Sequence, residues 1–242
     1  MYEPRIYRNR IDGKDMVAFN VTVKETDLYI RAMKNLTNKT RKLVIKYREI
    51  LEKYIERNEV FLTSLEPFFP GDSAPRIVKM MADSAGKAGV GPMAAVAGAM
   101  AELVGTELLE YSPEVIVENG GDIFMKSLKK RTVSVYAGES PLSDKIGLEI
   151  EPKDTPLGIC TSSGTVGHSL SYGRADAVVA VSESTPLADA AATAIGNLIK
   201  RSDDIPKGIE LAESVHGIKG VLIIKDDKMG VWGDLKICQM SD

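Results

Sequence analysis

Cysteine is scarce: Cys160 and Cys238 are the only two in 242 residues. Two thiols so far apart build neither a disulfide framework nor a Cys-x-x-Cys metal clamp, and a reducing compartment is expected. An excess of basic charge is also missing. With 31 Lys and Arg against 34 Asp and Glu, net charge −3, no overall field draws in nucleic acid, and no nucleic-acid partner is expected. Residues 1–40 hold no basic start followed by an apolar run and no early cysteine. A secretory leader or lipid anchor is therefore not expected, the location expected is cytoplasmic, and the Asn-x-Thr triplets at Asn20, Asn35 and Asn38 are not read as glycosylation sites. Long hydrophobic runs are few. The longest, Ala88 to Val104, is mostly Ala and Gly and contains Glu102, which suits internal packing better than a bilayer, so no membrane partner is expected.

What is present is a chain with 44% hydrophobic residues, enough for a full core, read as one domain over residues 1–242. Alternation at Val17 to Val23 and Leu28 to Arg31 predicts a strand pair. Apolar residues from Leu36 to Tyr54 recur at helical spacing, which predicts a helix over Asn35 to Arg57 with its basic residues on a solvated face. Pro67 to Gly71 punctuates the chain before a second helix starting at Pro75. Gly86, Gly89, Gly91 and Pro92 then break the pattern, as a tight helix junction rather than a nucleotide loop, since no strand precedes them. Small residues across Met93 to Leu109 predict a central buried helix. Strands are expected at Val115 to Val117, Ile123 to Met125, Thr132 to Ala137, Ile146 to Ile150, Ala177 to Val181, Gly220 to Lys225 and Lys228 to Gly233. Helices are expected at Pro186 to Arg201 and Pro206 to Val215. The result is a mixed chain of strands and helices with no internal repeat.

Chemistry-bearing residues crowd one stretch. Gly158 to His168 brings Cys160, Thr161, Ser162, Ser163, Gly164, Thr165 and His168 together, and Ala188 to Ala194 follows after one strand. Asp189 and Thr193 are four apart, so on a helix they share a face and offer a carboxylate and a hydroxyl to one point, half a site for a hard cation such as magnesium. A first-turn acid serving the helix dipole, with an ordinary helical threonine, is the plainer alternative. The Thr161 to Gly164 run suits either an anion-cupping nest of amides or a plain turn. Gly120 and Gly121 read as a hairpin turn. His168 suits proton transfer, phosphate orientation or a structural hydrogen bond.

Asn119-Gly120-Gly121-Asp122-Ile123, the Thr161 to Gly164 turn and Ala188-Asp189-x-x-x-Thr193-Ala194, in that order, resemble the core of the ApbE flavin transferases, over roughly residues 75 to 235. The resemblance implies an α+β single domain with mixed or antiparallel sheets packed against long helices. It also implies FAD as cofactor, with Asn119, Gly120, Gly121 and Asp122 and the segment Thr161, Ser162, Ser163 and Gly164 handling the flavin nucleotide, and magnesium held by Asp189 and Thr193. Those enzymes attach FMN to a threonine of a target protein. The fuller strings, Cys160 to Gly173 and Ala188 to Asn197, are more similar to a branch of the superfamily from methanogenic archaea and sulfate-reducing bacteria, where membership does not fix the reaction.

The chain departs from the transferase pattern at two places. His168-Ser169-Leu170-Ser171-Tyr172-Gly173 replaces a His-x-x-Asp-Pro-x-Thr-Gly loop, and no Lys-Gly-x-x-x-Asp element precedes it. Both losses fall on nucleotide handling. Proteins of the methanogen branch are associated with sulfide assimilation into homocysteine, and a cysteine beside converging amides and a histidine would be unusually acidic, a buried cysteine acting as a small hydrophobe being the plainer alternative. The leading expectation is therefore sulfur mobilisation with Cys160 as sulfur-bearing thiol, His168 beside it and a sulfur-transfer partner protein. The alternatives are a magnesium-dependent FAD:protein FMN transferase and a non-catalytic flavin- or nucleotide-binding module. A small-molecule or nucleotide ligand is common to these readings, and homo-oligomerisation stays open.

Overall fold

Strands β1 (Val17–Val23) and β2 (Thr26–Ala32) form the hairpin that the alternation predicts, with Phe19 opposite Ile30 and Val21 opposite Leu28, all four buried. The computed structural model describes residues 13–165 and 172–240 of the chain. Helix α1 (Thr37–Arg57) starts two residues later than expected, because Asn35 stays outside and its Oδ1 accepts the Thr37 amide at 2.9 Å. A short helix, α2 (Glu59–Thr63), was not anticipated and buries Phe61. Helix α3 (Arg76–Ala88) runs through Gly86 and stops at Gly89, which takes the left-handed conformation at φ 72°. The glycine-rich segment is thus a helix junction. A 3-10 turn, Pro92–Ala95, leads into α4 (Val96–Leu108), the buried helix expected from its small residues.

The remaining elements are β3 (Val115–Asn119), β4 (Asp122–Lys126), β5 (Arg131–Ser134), β6 (Ile146–Ile150), β7 (Leu157–Ser162), β8 (Ala177–Ser182), α5 (Thr185–Leu198), α6 (Ile205–Ser214), β9 (Ile218–Lys225), β10 (Lys228–Gly233) and β11 (Ile237–Gln239). Eight strands form a sheet in the order β1-β2-β3-β4-β7-β8-β9-β10, and β11-β6-β5 form a second. Every described pairing is antiparallel, so of the mixed or antiparallel sheets expected, the antiparallel kind is present. The fold is α+β.

Period-2 alternation sorts the strand residues into two cores. Ile116, Ile123, Met125, Leu157, Ile159 and Val179 face the small sheet. Val117 and Phe124 face α1, α3 and α4, while Cys160, Val178 and Ala180 face α5 and α6. The chain therefore stacks a helical layer, a large sheet and a small sheet. Asp122 and Cys160 both sit on the helix side of the large sheet, under the junction of α4 and α5. No single described helix is long and apolar enough to cross a membrane. The bent pair α3 and Pro92–Leu108 passes that test together, but it turns by 104° at its break and its apolar residues lie in the core.

Candidate functional site

Helices α4 and α5 meet at backbone distance. A Cβ on Gly98 would stand 2.6 Å from the Thr185 carbonyl oxygen and 2.9 Å from the Asp189 Cβ, and one on Gly158 would stand 2.4 Å from Thr185 Cα. Both glycines are required by these close approaches. At the junction each helix start is capped by an acid from the other helix. Asp189 Oδ2 of α5 accepts the Gly98 amide of α4 at 2.8 Å, and the Ala97 amide also bonds this carboxyl. Glu102 Oε2 of α4 accepts the Thr185 amide of α5 at 2.7 Å. Amides in the first helical turn have no partner within their own helix, and the positive end of the helix dipole favours a carboxylate there. Asp189 thus serves the dipole of a neighbouring helix rather than its own.

The β3–β4 hairpin brings its own groups to this place. Gly120 and Gly121, at φ 69° and 108°, close a two-residue turn between the paired Asn119 and Asp122. The Gly121 amide is held by Glu118 Oε1 at 3.0 Å, and Asn119 Nδ2 donates to the Ala97 carbonyl at 3.1 Å, tying the turn to the start of α4. A Cβ on Gly120 would meet nothing within 4 Å, so this backbone faces open space. Asp122 and Asp189 are both buried. Burial, then the Glu118 charge, pushes the Asp122 carboxyl up to about 7 against the opposing effect of the neighbouring Cys160 thiol and the Thr161 amide. Burial, then the Asp122 charge, raises Asp189 well above the usual carboxylate range despite its amide partners.

Cys160 corrects the sequence reading. It is wholly buried, directly opposite Asp122 in the β4–β7 register, and its Sγ donates to the Thr185 carbonyl at 3.3 Å. Burial first, and then the charges of Asp122 and Asp189, raise its thiol well above the ordinary cysteine value. Apart from the Ile123 amide, its polar neighbours are acceptors and carboxylates, which oppose the acidic thiolate expected from the sequence. Among the described residues, the Thr161 and Gly164 amides of the expected nest are already taken. Thr161 and Ser162 belong to β7 and pair with Val179 and Val178, the Thr161 amide goes to Asp122, and the Gly164 amide bonds the Ala175 carbonyl at 2.9 Å. Ser163 and Thr165 do form a small turn, with the Thr165 amide donating to Ser163 Oγ at 3.1 Å. His168 lies outside the described residues.

Asp189 and Thr193 lie one turn apart on α5, as their spacing required, and Thr193 is only half-buried. Among the described residues no group of three or more His, Cys, Asp or Glu is arranged to hold a metal ion. An open cavity of about 500 Å³, lined by Glu139, Ser140, Thr165, Asp176, Lys225 and Asp226 among others, lies apart from the paired carboxyls. Sequence reasoning missed Glu118 and Glu102 as site residues. Glu102 did carry a signal, a single acid in the apolar run of α4, whereas Glu118 carried none beyond its place before the glycine turn.

This arrangement defines a class: an α+β domain whose glycine hairpin, Ala/Gly-rich helix and Asp-x-x-x-Thr helix converge on two buried carboxyls. The sequence model of the family described as AbpE bacteria matches residues 8–213, and the chain belongs to that family. A UPF0280 protein of Methanococcus vannielii is 43% identical over 227 residues, covering 91% of this chain and 92% of that relative. One from Methanocaldococcus jannaschii is 39% identical over 221 residues, covering 89% of this chain and 90% of the relative. Among solved structures, the apo Pseudomonas stutzeri flavinyl transferase ApbE superposes with a TM-score of 0.56 at 15% identity, covering 93% of this chain and 94% of that one. The Thermotoga maritima ApbE protein does so at 0.52 and 12%, covering 93% and 97%. At these identities the likeness establishes a shared fold.

Proposed function

We propose that this protein binds a flavin-type nucleotide together with a divalent cation where the β3–β4 turn meets α4 and α5. The observation that carries this reading is the burial of Asp122 and Asp189 under one helix junction, each with its protonation raised. Two buried carboxyls are costly when charged without a counter-charge, and a cation supplies one. Magnesium is commonly held by one or two carboxylates plus waters and ligand phosphates, so Asp122 and Asp189 are enough for it. Asp189 and Asp122 would hold the cation, with the half-buried Thr193 hydroxyl beside them. The open backbone at Gly120 would let the nucleotide approach closely. The ligand class comes from the fold neighbour, a flavinyl transferase.

Binding, rather than transfer of FMN, is the reading preferred, because the Lys-Gly-x-x-x-Asp and His-x-x-Asp-Pro elements are missing from the sequence. Sulfur carriage by Cys160 asks for an accessible thiolate, which the buried thiol opposes. Flavin fluorescence titrations with FAD and magnesium test the proposal. Wild type should bind FAD in a magnesium-dependent way, and Asp189→Asn should weaken binding by at least about 10-fold. Absence of binding of FAD, FMN or ADP by wild type, with magnesium present, would overturn it.

A further inference from the structure

Three contacts converge on Thr185, the first residue of α5. Glu102 Oε2 takes its amide at 2.7 Å, the Cys160 thiol donates to its carbonyl at 3.3 Å, and Gly158 leaves room for its Cα. Thr185, Asp189 and Thr193 follow at four-residue steps, so they lie along one face of the helix. The position of the first turn therefore sets where the Asp189 carboxyl arrives against α4. Glu102 is itself on α4, one helical turn beyond Gly98, whose amide Asp189 receives. The two bonds form a closed loop between the helices: α4 to α5 through Glu102, and α5 back to α4 through Asp189.

We infer that Glu102 is a positioning residue, which by holding the Thr185 amide fixes Asp189 at the start of α4 and so sets the geometry of the cation site. This rests on the reading of Asp189 as a cation-holding group. Glu102 acts on the cation site through α5. What it chiefly supplies is an acceptor for that amide, so an amide oxygen at the same place does most of the same work and gives up only the charge's smaller gain from the helix dipole.

Two variants separate these roles. Glu102→Gln keeps an acceptor for the Thr185 amide, and Glu102→Met keeps comparable volume without one. Manganese affinity, read from the electron paramagnetic resonance of the free ion, should fall by about 10-fold or more in Glu102→Met and stay within about 3-fold of wild type in Glu102→Gln. Amide hydrogen exchange gives a readout that needs no metal. Protection of the Gly98 amide should drop by about 10-fold or more in Glu102→Met, return in Glu102→Gln, and leave Val117 and Val179 in the sheet unchanged. Should Glu102→Met not fold, Thr185→Pro deletes the donor instead, at a helix position that tolerates proline, and the same loss of Gly98 protection is expected. Wild-type protection at Gly98 in Glu102→Met, or a Glu102→Gln as impaired as Glu102→Met, would overturn the assignment. A wild type that binds no manganese while the exchange pattern holds would overturn the cation reading and leave Glu102 as a positioner of Asp189 alone.

Discussion

Asp122 and Cys160 stand directly opposite each other across the β4–β7 ladder, both buried and both on the helix face of the sheet. The thiol's one proton goes to the Thr185 carbonyl at 3.3 Å, and the carboxyl's charge disfavours the thiolate. The pair is an element of the interior.

Native Cys160 should accordingly resist alkylation. Iodoacetamide at pH 8 is expected to label the half-buried Cys238 first, with Cys160 reacting only when guanidinium unfolds the chain. Peptide mass mapping of the labelled protein checks this. A native Cys160 that labels as fast as Cys238 would restore the sulfur-carrier reading.

The packing of α4 on α5 predicts opposite outcomes for two chemically identical substitutions. Glycine to alanine in a helix interior gains up to ~1 kcal/mol in propensity. At Gly86 a Cβ meets nothing within 4 Å, so Gly86→Ala should stabilise by about that amount. At Gly98 the Cβ would lie 2.6 Å from the Thr185 carbonyl, a backbone atom that cannot rotate away. Overpacking costs ~1–3 kcal/mol, which outweighs the propensity gain, so Gly98→Ala should destabilise and also loosen the Asp189 cap. Urea unfolding of both variants decides it, and a stabilised Gly98→Ala would contradict this packing.

Local features of the site were legible in the sequence because their physics is local. The Gly120–Gly121 turn follows from a two-residue glycine loop between strands, and the shared face of Asp189 and Thr193 follows from helical period. What was not legible depends on partners far away. Glu102 and Thr185 are 83 positions apart, and Gly98 and Asp189 are 91 apart, so no spacing rule announces the reciprocal caps. Thr161 and Ser162 read as a turn by composition, yet ladder partners Val179 and Val178 make them a strand. The acidic thiol expected at Cys160 failed for the same reason. Its environment was inferred from chain neighbours, whereas strand alternation turns it under α5 and toward Asp122.

A second buried charge cluster lies at the other end of β4's neighbourhood. Arg131, 3% exposed in its side chain, meets Glu114 at 2.9 Å and Asp15 at 2.6 Å, and Glu114 also accepts the Leu128 amide at 2.7 Å. Removing one partner of a buried ion pair leaves an uncompensated charge and costs ~3–5 kcal/mol. Because Asp15 keeps part of the compensation, Glu114→Ala should cost about 3 kcal/mol, the lower end of that range. Denaturant titration measures it. A loss below about 1 kcal/mol would show that Asp15 alone satisfies the guanidinium.

The paired carboxyls also predict an unusual pH dependence. Asp122 is raised to about 7 and Asp189 well above its ordinary value, both chiefly by burial. Below about pH 4 folded and unfolded chains both hold these protons, and no difference arises. Between about pH 4 and 7 the folded chain keeps a proton at Asp122 that the unfolded chain has released, so the unfolded state binds fewer protons and stability falls as pH rises. Each such group contributes a slope of up to ~1.4 kcal/mol per pH unit. In chelator, the melting temperature should therefore decline from pH 5 to pH 8, and Asp122→Asn should flatten the decline by removing both that titration and its charge beside Asp189. Magnesium should act in the opposite sense, stabilising more at pH 8 than at pH 5, because it favours the charged carboxylates. Scanning calorimetry across this range separates the outcomes. A wild type that gains stability from pH 5 to pH 8 in chelator would mean that Asp122 and Asp189 are not held in their protonated forms.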